Sequence, residues 1–162
     1  MSALALVYAV LLKISTQWFS IDGIACFVYF PTGLALALFL LKGTRLWPWA
    51  LLGATLGNLL SGAPWVLAVA LGVSQVLGML LCARILQQHT RFDLRLLYPH
   101  DFALLLAVGV ACCTLTALAG PALLWLYGTI YGAMSASQSY RETALAWWQG
   151  DLLGVLLLTP TI

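Results

Sequence analysis

Two oppositely charged residues sit deep inside apolar runs: Lys13 in AVLLKISTQWF and Asp151 in WWQGDLLGVLLL. A charge in apolar surroundings is expensive, so one that is kept there pairs, relays a proton or meets a ligand. Counting helical rise from segment ends at Phe19 and Thr143 puts Lys13 about 9 Å and Asp151 about 12 Å below one boundary. At nearly one level, they are expected to form an ion pair tying the first apolar segment to the sixth, because stranding either charge alone costs about 3–5 kcal/mol. The amides Gln17, Asn58, Gln75 and Gln149 lie at similar depth. For them, hydrogen bonds between helices are the plainer role.

The chemistry of soluble enzymes is missing. No Ser/His/Asp arrangement, phosphate-binding glycine loop or metal-ligand cluster is present, and His89 and His100 lie in or beside one polar connection. Cys26, Cys82, Cys112 and Cys113 stand in apolar runs without CxxC or Cys/His spacing, and read as small buried hydrophobes. The expectation is a protein that is not an enzyme, with no cofactor and no metal.

These residues must be positioned by membrane helices. The chain is 63% hydrophobic and 7% charged, against about 25% charged in a typical soluble domain. A net charge of +2 with no basic stripe excludes nucleic acid as a partner. Six apolar segments follow one another, at about 3–19, 25–41, 47–60, 65–86, 101–127 and 143–158. Each is judged against the roughly 20 residues a spanning helix needs, and the third is short. The reading is an all-α integral membrane protein, a bundle of about six transmembrane helices forming one domain over residues 1–162. Asp101 is read as the N-cap of the fifth helix and Pro121 as a kink within it.

Basic residues orient the bundle. The second and fourth connections hold Lys42, Arg45, Arg84, Arg91 and Arg95, and the other three hold only Arg141. Basic loops stay on the cytoplasmic side, so both termini are expected in the cytoplasm. Trp47 and Trp49 then fall at the inner interface and Trp65 and Trp147 near the outer one, as an aromatic belt. Two GxxxG steps, Gly53 to Gly57 and Gly150 to Gly154, allow close helix approach. They are read as packing within one chain, with a homodimer as the other use.

Several stretches together resemble one family. They are Phe30-Pro31-Thr32-Gly33, Gly43-Thr44-Arg45-Leu46-Trp47-Pro48, Gly53 to Asn58, and Trp147 to Pro160 with its Gly150, Asp151 and Gly154. In this order they resemble the membrane-associated sensor domain called MASE, class one. Asp101, after the basic loop, also falls where that family tends to carry an acid.

The resemblance implies a sensory input domain of a bacterial signalling protein, multi-pass in the inner membrane. It would take an unidentified small ligand or membrane signal and relay it to a cytoplasmic output, such as a histidine kinase in a two-component system or a diguanylate cyclase in cyclic-di-GMP signalling. Its partners would be the lipid bilayer, that ligand and the output domain. The family domain generally continues for about two more helices, which marks this chain as incomplete at its C-terminal end. The candidate signalling residues are Asn58, Trp147, Trp148, Gln149 and Asp151, with Pro31, Gly33 and Gly53 shaping a cavity. Trp47, Pro48, Gly57, Gly150, Gly154 and Pro160 complete the structural motif. The alternative is a small-solute binding or transport subunit of a membrane transporter.

Overall fold

The computed structural model describes residues 2–18, 20–21, 25–26, 28–89, 98–131 and 139–161. They form six helices: α1 (Ser2–Trp18), α2 (Phe30–Lys42), α3 (Trp47–Leu60), α4 (Trp65–Gln88), α5 (Pro99–Tyr131) and α6 (Tyr140–Leu158). Two short strands, β1 (Ser20–Ile21) and β2 (Ala25–Cys26), pair antiparallel between α1 and α2. The connection holding Arg91, Asp93 and Arg95, the turn at Asp22 and the first half of the 135–142 loop lie outside the described residues, and Tyr140 to Glu142, expected in that loop, belong to α6.

Prolines and glycines set the boundaries. α2 begins at Phe30 with Pro31 in its first turn, where a missing N–H costs nothing. The expected start at Ala25 is therefore too early, and β2 occupies that stretch. Pro99 opens α5, so Asp101 is its third residue rather than its N-cap, and it is buried. α5 runs unbroken through Pro121. Gly43 ends α2 with φ 87°, and Gly62 turns α3 into α4 with φ 91°. Both are left-handed values that glycine adopts without steric cost.

α1, α3, α4, α5 and α6 follow one another around α2, each packed on the next, and the ring is open between α1 and α6. α2 touches α1, α4 and α6 most extensively and buries Pro31, Thr32, Gly33, Ala35, Leu36 and Phe39. Its small residues make this central place possible, since helix axes close up only where side chains are short. α1 and α3 run in the same direction, and so do α2 and α6. Large apolar side chains cover the outside, among them Leu6, Val10, Leu52, Leu77, Leu115 and Leu118. α4 and α5 are each long and apolar enough to cross a membrane.

Both small-residue steps act within the chain. A methyl on Gly53 would come within 2.7 Å of Tyr8 Cβ, and one on Gly57 within 2.8 Å of Leu12 Cβ. Gly154 packs against the Tyr29 carbonyl, and Gly33 in turn against the Gly154 carbonyl.

Candidate functional site

The polar centre of the bundle is Asp151, completely buried on α6. Three groups hold it. The Tyr29 N–H donates to the Gly150 carbonyl at 3.0 Å, across the close α2–α6 contact that Gly33 and Gly154 permit. The Thr32 hydroxyl, also bonded to the Tyr29 carbonyl at 2.7 Å, reaches the Asp151 carbonyl at 3.4 Å. From α5, Thr116 donates its hydroxyl to Asp151 Oδ2 at 2.7 Å.

The other carboxylate oxygen, Oδ1, has no hydrogen-bond partner among the described residues, and neither has the hydroxyl of Tyr8. Tyr8 is fully buried on α1, and its phenol lies within electrostatic range of the Asp151 carboxyl, as does the Cys113 thiol. One buried donor and one buried acceptor, on helices that do not touch, thus lie within electrostatic range of each other. Leaving such groups unbonded costs roughly 1–3 kcal/mol each, more for a charge. Beside them, the Tyr29 hydroxyl donates to Gln75 Oε1 at 3.1 Å, so Gln75 does serve as a bond between helices.

The expected ion pair is absent. Lys13 and Asp151 do lie at similar depth, because the Phe30 N–H bonds Ser15 Oγ, two residues beyond Lys13 on α1, and the Tyr29 N–H bonds the Gly150 carbonyl, one residue before Asp151. Their directions differ. The buried face of α1 is Ala5, Tyr8, Leu12 and Ser15, and Lys13 falls one residue, about 100°, off that line on the exposed side. Among the described residues the one charged contact is His100 Nε2 to Asp101 Oδ1 at 3.2 Å. The α1 side chain within electrostatic range of Asp151 is Tyr8, and no hydrogen bond joins the two.

The other candidate residues do not gather around Asp151. Gln149 is exposed, two residues and about 200° away around α6. Asn58 lies near the end of α3, which has no contact with α6. Trp147 packs over Gly120 of α5. Trp148 donates its indole N–H to Thr114 Oγ1 at 3.1 Å and lines an apolar groove of about 390 Å³ between α5 and α6. Gly33 belongs to the α2 face against α6 and Pro31 is buried in the first turn of α2, while Gly53 serves the α1–α3 contact instead. Tyr8, Thr32 and Thr116 were not among the candidates. The stripe Ala5-Tyr8-Leu12-Ser15, with its spacing of three and four, carried the signal for Tyr8.

Comparison with known proteins agrees with this architecture. A family model described as MASE1 matches residues 1–162. No curated protein and no solved structure matches the chain. The matched family is a membrane-associated sensory domain of signalling proteins rather than a catalytic domain. The chain belongs to the MASE1 family.

Proposed function

We propose that this chain is the multi-pass input domain of a bacterial inner-membrane signalling protein, with both termini in the cytoplasm and no catalysis of its own. It senses a small ligand or a membrane signal and passes a change of helix packing to a cytoplasmic output, such as a histidine kinase or a diguanylate cyclase. The observation that carries this reading is Asp151: fully buried, its carboxyl bonded through one oxygen and unbonded through the other, where Thr32 of α2 and Thr116 of α5 each reach α6. Groups of this kind persist inside membrane proteins where they serve function, since packing alone would favour removing them. A signal that bonds Oδ1 or the Tyr8 hydroxyl in one packing state and not the other shifts the balance between the states.

The placement of basic residues supports the orientation. The Gln87 side chain bonds the Phe39 carbonyl at 2.9 Å, which draws the ends of α2 and α4 together and groups Lys42, Arg45 and Arg84 at one end of the bundle. In intact cells, Gln88→Cys is expected to resist an impermeant thiol reagent and Ser61→Cys to react. The reverse pattern would invert the topology.

The functional test uses the whole signalling protein that carries this domain. Asp151→Asn and Tyr8→Phe are expected to fix kinase or cyclase output at one level, with expression and thermal stability kept. Output that still responds as in the wild type would remove Asp151 from the pathway. A solute released stoichiometrically from the purified chain, together with uptake into vesicles, would favour a transport subunit instead.

A further inference from the structure

A groove of about 460 Å³ runs between α1 and α2 down to the start of α3. Leu34, Leu38 and Lys42 form its floor, Leu4 and Val7 one wall, and Trp49 closes one end. Its volume lies within the usual 300–1,000 Å³ of small-molecule sites. Its shape is more informative. The floor residues are one turn apart on a single helix face, so from Leu34 to Lys42 the groove extends about 12 Å. One leaflet of a bilayer core is half of roughly 30 Å. The groove therefore spans close to one leaflet, apolar from the middle of the bilayer outward and cationic only at its rim.

The rim is built for an anionic headgroup. Lys42 is the last residue of α2 and exposed, and Arg45 follows in the turn Thr44–Leu46, also exposed. Among the described residues no carboxylate pairs with either of them. Trp47 and Trp49 lie at the same end, as tryptophans do at headgroup level. Basic pockets between helices on the cytoplasmic side are suited to acidic lipids.

We infer that this groove holds one anionic phospholipid of the leaflet at the basic end, with an acyl chain along Leu34 and Leu38 and its phosphate at Lys42 and Arg45. The inference rests on the bilayer placement proposed above and is independent of the Asp151 centre.

The test is native mass spectrometry and thermal unfolding of the full chain in detergent, titrated with phosphatidylglycerol or with phosphatidylcholine. Phosphatidylglycerol is expected to stay bound one-to-one and to raise the unfolding temperature more than phosphatidylcholine does. Lys42→Gln should weaken it roughly five-fold, a similar loss following at Arg45→Gln. Lys42→Arg should keep the preference, and Arg141→Gln, at the far end of the bundle, should leave it unchanged. Leu38→Trp, filling the floor, should abolish one-to-one retention of either lipid. Equal retention of the two lipids by the wild type would overturn the site. So would an unaltered preference in folded Lys42→Gln, or one-to-one binding that survives Leu38→Trp.

Discussion

The two GxxxG steps read alike in the sequence and do different work. On α3, Gly53 receives Tyr8 Cβ together with the Ala5 carbonyl, and Gly57 receives the Leu12 side chain. On α6, Gly150 and Gly154 receive backbone: the Tyr29 N–H bonds one of them and the Tyr29 carbonyl lies against the other. A side chain can rotate or lean when crowded, whereas a carbonyl fixed in a helix start cannot. The α1–α3 contact is thus apolar and adaptable at Gly57, where only a side chain is met, and the α2–α6 contact is a rigid polar one that holds Asp151 in place. The same spacing yields packing in one case and the frame of a site in the other.

The largest effect should come from crowding the rigid contact. Gly154→Ala puts a methyl against the Tyr29 carbonyl and Thr32 Oγ1. The loss should reach about 3 kcal/mol, the upper end for overpacking, in thermal or denaturant unfolding in detergent. A loss below that of Gly57→Ala would erase the distinction between the two seams.

Next is Thr116→Val, which keeps the shape and deletes the hydroxyl bonded to Asp151 Oδ2. It should cost about 1–3 kcal/mol, and Asp151→Asn should recover part of that by removing the stranded charge. No recovery in the double variant would mean that the hydroxyl acts elsewhere.

Gly57→Ala comes third, at about 1–2 kcal/mol, since of the Leu12 atoms it meets Cγ and Cδ1 can swing aside while Cβ cannot. The smallest effect is the coupling between Lys13→Met and Asp151→Asn. With Lys13 on the exposed face, the two changes should add within about 0.5 kcal/mol. A coupling of several kcal/mol would restore the ion pair that the structure does not form.

These contrasts also mark what the sequence could tell. α3 lies at the bounds expected from composition, and α1, α4 and α6 begin and end within a few residues of theirs, because apolar runs broken by polar turns leave few alternatives. The depth of Lys13 and Asp151 was legible too, because helical rise is constant. Rotation about each helix axis was not. In helices that are apolar nearly all round, no polar face reveals which side turns inward, and so Lys13, Gln17 and Gln149, all exposed, were assigned to the interior. Gln149 could have been excluded by arithmetic alone, since two residues along a helix point to opposite sides. The late start of α2 was written in Pro31, which favours the first turn of a helix over its middle.

The parallel course of α2 and α6 has a mechanical consequence. The two helices are joined at three rungs, from Tyr29 to Gly150, from Thr32 to Asp151, and from Thr159 to Gly33 at 3.3 Å. Rungs between parallel shafts transmit a push along the axis without reversing it. Any stroke imparted near Asp151 therefore passes from α6, which ends level with Gly33, into α2 and continues in the same direction along α2 toward Lys42.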